Sequence, residues 1–474
     1  MAAATTLADE GYRVVVLEKN DQAGGRARQF QASGFTFDMG PSWYWMPDVF
    51  ENYFQRFGKE IKQYYQLQRL SPSYKVFFKD EEWNIPANLE ELKADFEKRE
   101  SGSSKKLDRF LKQAEYKYRV GMDDLVHKPS RSILEFVNWK VISGVFRMQL
   151  FNSLSSHVKK YFKDEKIRKL LEFPVLFLGA EPAKTPALYS LMNYADIVLG
   201  TWYPQGGMNE IVRAMKKLAE EKGVEFKTNT EVIGFNVKKG RATAARTANG
   251  KEKGEVFISG ADYHHTEELL NDDFRNYSED YWDQRKMAPS SLLFYLGVNR
   301  KVNNLLHHNL FFDEDFDQHA KEIYDRPSWP SKPLFYVSAP SKTDASVAPE
   351  GSENLFLLMP VAPNLKDDDK TREHYYHVMM DRLEERCGHP IREHVVYKRS
   401  YAHQDFKADY HAYKGNAYGL ANTLRQTAIL KPSLKSKKIK NFFYTGQLTT
   451  PGPGVPPSLI SGQVVAKEVI KQLS

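Results

Sequence analysis

A strand that ends in an acidic residue and is followed by two glycines and an arginine carries the clearest chemistry in the sequence. Residues 12–17 read YRVVVL, which is typical of a buried parallel strand, and Glu18 follows at once. In dinucleotide-binding folds an acid at this point hydrogen-bonds the ribose. Gly24 and Gly25 let backbone N–H groups approach a phosphate, and Arg26 adds charge. A plain glycine turn is the alternative, but the strand and Glu18 favour a phosphate site.

The glycine fingerprint G-x-G-x-x-G of such folds normally stands about 20 residues before the acidic residue. In this sequence that count reaches ahead of Met1, and residues 2–11 have the character of the end of a crossover helix. We therefore expect the first strand and its fingerprint to be missing from the 474 residues.

The C-terminal segment also has the features of a site for an anionic ligand. Residues 442–446 read FFYTG, a strand that ends at Gly446, and a Gly/Pro loop then leads into a helix near Val455. Backbone N–H groups at a helix start stabilise anions, such as the charge on a reduced flavin. Pro456 and Pro457 suit the first helical turn. An ordinary proline-rich connection is the alternative, and only the N-terminal motif decides against it.

Composition limits the remaining possibilities. The chain has 474 residues, 41% of them hydrophobic, which suits two or three domains with sizeable cores. Its single cysteine, Cys387, excludes a disulfide framework or a Cys-rich metal site. The net charge of +7 modestly favours an acidic partner. We see no membrane-spanning stretch and no secretory signal. We expect the basic run 435–440 to be a solvated loop, not a nucleic-acid site.

The spacing of apolar residues predicts the helices and strands that must position these residues. The alternation of these elements predicts an α/β fold. Apolar residues at helical spacing predict a helix over 208–223, with strands over 224–227 and 231–235 after it. Residues 75–78 and 82–85 suggest a hairpin, and residues 88–166 are mostly helical in character. A second sheet is expected from four apolar runs: 292–298, 334–337, 355–359 and 394–397. The pairs His264-His265 and His307-His308 are expected at the surface, and we assign no metal site.

Four stretches together resemble the bacterial phytoene desaturase family of carotenoid desaturases, over essentially the whole chain. They are LEKNDQAGGRA (17–27), DMGPS (38–42), TWYPQGGM (201–208) and TGQLTTPGPGVPPSLISG (445–462). The resemblance implies a Rossmann-like FAD-binding domain of the glutathione reductase type, formed by residues 1–70, 200–270 and 415–474. It also implies a mixed-sheet substrate domain (71–90 and 271–414) and a helical substrate and membrane-docking region (91–199).

The resemblance also implies FAD-binding roles for particular residues. Glu18 would bind the adenosine ribose, and Val232 would meet the adenine through its backbone. The pyrophosphate would lie along Gly24, Gly25 and Arg26. The residues expected around the flavin ring are Gly40, Pro41, Gly446, Gly454, Val455 and Pro456.

The implied reaction removes a hydride and a proton from adjacent carbons of a C40 polyene. No side chain accepts a hydride, so the flavin must, and we assign no catalytic side chain. Phytoene and a γ-carotene or hydroxycarotenoid type of substrate both stay open, as do quinone and oxygen as electron acceptor. The alternatives are an amine or porphyrinogen oxidase of the same fold, and a non-catalytic protein that binds carotenoid or membrane.

A C40 hydrocarbon must come from a bilayer, because it is nearly insoluble in water. An aromatic and aliphatic stretch bordered by cations suits an interfacial helix on anionic lipid. Packing of this helix on the protein's own core is the alternative, but the resemblance favours a peripheral position on the cytoplasmic side of the membrane. The apolar residues are Phe136, Trp139, Val141, Ile142, Val145, Phe146, Leu150 and Phe151, and the cations are Lys140, Arg147, Lys159 and Lys160.

Charged substitutions at Trp139 and Phe146 should abolish binding to liposomes and leave the protein folded, because they remove the apolar contact with the lipid. Co-sedimentation with anionic liposomes measures binding, and circular dichroism checks the fold. Unchanged co-sedimentation would contradict the membrane role of this stretch.

Overall fold

The computed structural model of the protein describes residues 1–130, 132, 152–178, 181–423 and 426–474. The apolar residues of the proposed interfacial stretch therefore lie outside the described residues. The helices are α1 (Ala2–Asp9), α2 (Pro47–Gln55), α3 (Leu89–Arg99), α4 (Ser103–Val120), α5 (Leu154–Tyr161), α6 (Glu165–Glu172), α7 (Asn209–Glu221), α8 (Tyr263–Glu268), α9 (Glu279–Asp283), α10 (Phe316–Tyr324), α11 (Asp369–Cys387), α12 (His403–Tyr410) and α13 (Val455–Leu473), with short helical turns between them.

The strands are short in the first half of the chain and longer in the second. They are β1 (Val15–Leu17), β2 (Gln29–Ala32), β3 (Phe35–Asp38), β4 (Leu67–Arg69), β5 (Tyr74–Phe78), β6 (Glu82–Ile85), β7 (Trp202–Pro204), β8 (Glu225–Lys227), β9 (Val232–Lys238), β10 (Arg241–Thr247), β11 (Gly250–Lys253), β12 (Phe257–Ser259), β13 (Ser290–Val298), β14 (His308–Phe312), β15 (Phe335–Ser338), β16 (Glu353–Val361), β17 (Val395–Tyr401) and β18 (Phe442–Tyr444).

Parallel strand pairs and helices form the nucleotide-binding type of layer. Strand β1 pairs in parallel with β8, and β12 pairs in parallel with β18. Strands β9, β10 and β11 form an antiparallel three-stranded sheet beside them. The predicted strand before Glu18, the predicted helix that is now α7 and the C-terminal helix from Val455 are confirmed.

A seven-stranded mixed sheet forms the second layer, in the order β17-β13-β16-β15-β14-β5-β6. Side chains alternate between its two faces, as the pleat requires. On β13, Leu293 and Tyr295 belong to the core that faces the nucleotide-binding layer, whereas Leu292, Phe294 and Leu296 belong to the core on the other face. Helix α11 covers that second face with Met379, Met380 and Leu383. The four predicted apolar runs and the hairpin are all strands of this sheet.

The expectation of surface histidines is wrong for three of the four residues. His264, His307 and His308 are buried, and His265 is half-buried. His308 opens β14 inside the sheet, and His307 bonds Thr343 Oγ1 through Nδ1 at 2.8 Å. Burial lowers the pKa of His307 to about 3, so both neighbouring rings are neutral members of the core.

Among the helices of the described residues, none combines the length and the apolar character that crossing a bilayer requires. Nor do the described side chains of His, Cys, Asp and Glu include a group of three that could hold a metal ion.

Helices α1 and α13 approach each other closely at one glycine. A Cβ at Gly462 would lie 3.0 Å from Ala2 Cβ and 3.0 Å from Ala3 N. Ala2, Ala3 and Ala4 are all buried. Helix α1 has small side chains at this contact and α13 has a glycine, so the two helices can pack closely. This contact brings the two ends of the chain together.

Substitution Gly462→Val should destabilise the protein by about 1–3 kcal/mol, because overpacking forces the two helices apart. Lys467→Val, at an exposed position of the same helix, is the matched control. Denaturant unfolding followed by circular dichroism gives both values. Equal unfolding free energies for the two variants would contradict this account of the contact.

Candidate functional site

The two predicted segments at the ends of the chain meet through a third residue, Asn416. Arg26 Nη2 donates to the Asn416 carbonyl oxygen at 3.0 Å, and Gln447 Nε2 donates to Asn416 Oδ1 at 3.0 Å. Asn416 Oδ1 also accepts a hydrogen bond from Gly419 N at 2.7 Å. Residues from the N-terminal and C-terminal segments thus meet at Asn416, and their joint role in one cofactor site stays a prediction. Asn416 itself was not expected, since a single loop asparagine gives no sequence signal.

The turn at Gly24 and Gly25 needs both glycines. Their φ angles are +120° and +55°, in the region that L side chains rarely adopt. A Cβ at Gly24 would lie 2.9 Å from Val212 on α7, whereas beside Gly25 the space is open. The backbone is therefore close to α7 on one side and accessible on the other.

Glu18 directly follows β1 and is held in place by hydrogen bonds of its backbone and its side chain. Its N donates to Lys227 O on β8 at 2.9 Å, and its carbonyl oxygen accepts from Thr230 N at 2.8 Å. Oε1 accepts from Asn20 N at 2.8 Å and from Asn20 Nδ2 at 3.1 Å. The carboxylate is thus oriented by its own turn. Val232 opens β9 close to this turn.

The C-terminal loop is fastened to its helix by one hydroxyl. Ser461 Oγ accepts from Gly446 N at 3.2 Å and from Thr445 Oγ1 at 3.0 Å. Thr449 Oγ1 also lies 3.0 Å from Ser461 Oγ. At Gly454, with φ +110°, the chain turns into the helix, whose first turn contains Val455 and Pro456. The loop therefore presents the helix N-terminus in a fixed position.

The Asp38 carboxylate joins two of the four stretches that suggested the family. Oδ2 accepts from Met208 N at 2.7 Å, and Oδ1 accepts from Asn209 N at 3.1 Å, so Asp38 caps α7. A Cβ at Gly207 would lie 2.7 Å from Asp38 Oδ2, which explains the glycine. Burial raises the pKa of Asp38 to about 6 against these hydrogen bonds.

Gly40 and Pro41 lie next to the N-terminal motif. A Cβ at Gly40 would lie 2.7 Å from the carbonyl oxygen of Arg26. The preceding carbonyl, of Met39, accepts a hydrogen bond from the buried Tyr295 hydroxyl at 2.7 Å. Asn354 Nδ2 also donates to Thr36 O at 2.8 Å. Strands β13 and β16 of the mixed sheet thereby hold β3 and the turn after it.

An aromatic cluster that sequence reasoning missed begins two residues after Pro41. The ring of Trp43 stacks on His308 with centroids 4.1 Å apart and an angle of 10°. His308 Nδ1 and the Tyr336 hydroxyl are hydrogen-bonded at 2.6 Å. Trp43 also contacts Tyr74 at 5.3 Å and Trp45 at 5.2 Å between centroids. The WYW sequence directly after DMGPS was the available signal. Such a cluster can hold a flat apolar molecule and exclude water.

A buried carboxyl group lies behind this cluster. Tyr74 Oη donates to Asp196 Oδ2 at 2.8 Å, and Thr201 Oγ1 donates to Asp196 Oδ1 at 3.2 Å. Trp45 Nε1 in turn donates to Thr201 Oγ1 at 2.8 Å. Burial raises the pKa of Asp196 from 3.8 to about 7. The network fixes the orientation of Tyr74 and Trp45.

This arrangement is an α/β fold with a nucleotide-binding type of layer and a mixed sheet. The fold is similar to that of an oxidoreductase from Methanosarcina mazei, with a TM-score of 0.64, 15% identity and coverage of 98% of this chain and 97% of that one. The family model described as flavin containing amine oxidoreductase matches residues 1–470. The chain belongs to this family.

Relatives confirm the resemblance to carotenoid desaturases. A carotenoid 3,4-desaturase of Haloarcula japonica is 40% identical over 477 residues, which cover 100% of this chain and 96% of the relative. A zeta-carotene-forming phytoene desaturase of Myxococcus xanthus is 31% identical over 480 residues, covering 99% of this chain and 92% of the relative.

The residues present fit the FAD that the family implies. Beside Gly25 there is open space for a phosphate, and Arg26 Nε is buried without a hydrogen-bond partner among the described residues. Burial lowers the pKa of Arg26, and Asp262 opposes that shift. The 19-residue helix α13 offers its N-terminus to an anion. The individual contacts of FAD with the site residues stay predictions.

Stability should depend on pH through Asp196. Because the pKa of Asp196 is raised in the folded protein, its contribution to folding stability is fully present below the unfolded pKa of 3.8. This contribution is lost as the pH rises towards the folded pKa of about 7. Relative to Asp196→Asn, the wild type should lose about 1.4 kcal/mol for each pH unit in that interval. Denaturant unfolding between pH 4 and pH 8 measures the difference.

The exposed Asp273→Asn serves as the control for this series. Its difference from the wild type should not follow the same curve. A constant difference between the wild type and Asp196→Asn across the interval would contradict the assignment.

Proposed function

We propose that the protein is a FAD-dependent carotenoid desaturase. The observation that carries this proposal is the convergence of Gly24–Arg26, the turn at Gly40–Pro41 and the aromatic cluster around Trp43. The relatives named above support it, since they resemble the chain over its whole length and are carotenoid desaturases. An acyclic or partly cyclised C40 polyene is the proposed substrate class.

The residues of the chain bind and shield the substrate. Bound FAD would supply the hydride acceptor, which no protein side chain can replace. The half-buried ring of Trp43 would contact the polyene, and the buried rings of Trp45 and Tyr74 hold Trp43 in place. The negative face of an aromatic ring would stabilise the positive charge that spreads along the polyene when a hydride leaves. Loss of a proton from the adjacent carbon then completes the new double bond, and the proton passes to solvent.

Asp196 and His308 contribute orientation to this site. The Asp196 carboxyl group holds Tyr74 through its hydroxyl, as described above. His308 is neutral, because burial lowers its pKa well below the usual value. A neutral ring stacked on Trp43 adds no positive charge to compete with the cationic polyene.

The position of the new double bond, the membrane and the electron acceptor are further proposals. The identity of 40% to the 3,4-desaturase, against 31% to the phytoene desaturase, favours desaturation at the 3,4-position. A hydrocarbon substrate favours a peripheral position on the cytoplasmic side of the membrane. Quinone and oxygen are both suitable acceptors for a reduced flavin.

The protein with FAD and carotene-loaded liposomes should convert at least one carotene to a product with two hydrogens fewer and a longer-wavelength absorption. A hydroxylated carotene, a monocyclic carotene and phytoene are each tested, with quinone or with oxygen. Chromatography with mass detection identifies the products. Turnover of an amine or a porphyrinogen instead would favour the other oxidases of this fold, and absence of any turnover would favour a binding protein.

Trp43→Leu should lower the rate by about tenfold or more, a typical effect of a changed apolar pocket. Trp329→Leu is the matched control, because Trp329 is also half-buried but packs on the opposite face of the mixed sheet. An equal loss of rate in both variants would contradict the substrate role of Trp43.

A further inference from the structure

Two buried polar side chains beside the C-terminal loop lack partners. Lys431 is 5% exposed and Asn422 is 2% exposed. Neither Lys431 Nζ nor Asn422 Oδ1 has a hydrogen-bond partner among the residues that the structure describes. Burying an ammonium group and an amide oxygen without partners is unfavourable, so each of them calls for a ligand.

Both groups converge on the same point of the loop. A Cβ at Gly452 would lie 3.1 Å from Lys431 Nζ and 3.3 Å from Asn422 Oδ1. Gly452 lies between Gly446 and Gly454, in the loop that Ser461 fastens to α13. A hydrogen-bond donor and an acceptor therefore stand side by side at the part of the site where the sequence predicts the flavin ring.

A second buried lysine, Lys117, differs from Lys431 in having hydrogen-bond partners. Burial lowers the pKa of both Lys117 and Lys431 to about 7, and it is the sole cause in each case. Lys117 Nζ, however, donates to Ala187 O at 2.9 Å and to Ser190 Oγ at 3.0 Å. Lys117 therefore has a structural role, whereas Lys431 is held close to Gly452 without such bonds.

The chemistry of the pair selects one kind of ligand. A polyene hydrocarbon offers neither a donor nor an acceptor. The pyrimidine edge of a flavin ring offers an N–H group between two carbonyl oxygens, which matches an amide oxygen next to an ammonium group. We propose that Asn422 and Lys431 bind the pyrimidine edge of the flavin, Asn422 Oδ1 accepting from its N–H and Lys431 Nζ donating to a neighbouring carbonyl.

This proposal rests on the FAD of the proposed function and not on the carotenoid. Reduction of a flavin places negative charge on its pyrimidine half. A cation at that edge therefore binds the reduced ring more strongly than the oxidised ring and raises the reduction potential. Lys431 would therefore both bind the flavin ring and raise its reduction potential.

The test measures FAD binding and the midpoint potential, and it needs no carotenoid. Lys431→Met should bind oxidised FAD about tenfold more weakly. Its midpoint potential should fall by about 30 mV or more, which corresponds to a further tenfold loss for the reduced form of a two-electron couple. Lys431→Arg should restore most of both values. Lys117→Met is the matched control and should change neither, as measured at a temperature where circular dichroism shows it folded.

Asn422→Asp is a second variant in case Lys431→Met does not fold. Its carboxylate would pair with Lys431, neutralise the cation and lower the potential in the same direction. Unchanged affinity and potential in the folded Lys431 and Asn422 variants would overturn the proposal, as would a changed carotenoid KM with normal FAD binding. A wild-type protein that binds no FAD would instead overturn the proposed function together with it.

Discussion

The carboxylate of Asp38 is the contact on which the site depends. It accepts hydrogen bonds from the first N–H groups of α7, and Gln29 Nε2 donates to both Asp38 Oδ1 and the carbonyl oxygen of Gly206. The backbone at Gly207 can come this close only because it carries no side chain. Helix α7 in turn packs against Gly24. A single half-buried acid thus sets the distance between the nucleotide-binding turn, the start of α7 and the strand that leads to Gly40.

The mixed sheet serves the site through the alternation of its side chains. One face of β13 contributes Tyr295, which holds the turn at Met39, while the other face packs on α11. Strands β5, β14 and β15 contribute Tyr74, His308 and Tyr336 to the cluster around Trp43. The same sheet therefore anchors the nucleotide-binding turn and provides an apolar wall beside it, so that a flavin and a flat hydrocarbon can lie next to each other.

The periodicity of apolar residues was sufficient to predict most helices and strands, because the apolar faces of α7 and of the sheet strands are formed by residues close together in sequence. The meeting of the two chain ends was also predictable, since both segments suit one ligand. Burial of His307 and His308 was not, because it depends on Thr343, Tyr336 and Trp43, which are distant in sequence. Asn416 and Lys431 were missed for the same reason: an isolated polar residue carries no pattern until its neighbours are known.

The hydrogen bonds from Tyr295 to Met39 and from Asn354 to Thr36 affect how the two layers can move when a substrate enters. Together with the bond from Arg26 to Asn416, they tie the nucleotide-binding turn to the rest of the molecule at several points. A hinge motion that separated the two layers would break the bonds from Tyr295 and Asn354. We therefore expect the mixed sheet and the nucleotide-binding turn to keep their relative position while a substrate enters and leaves.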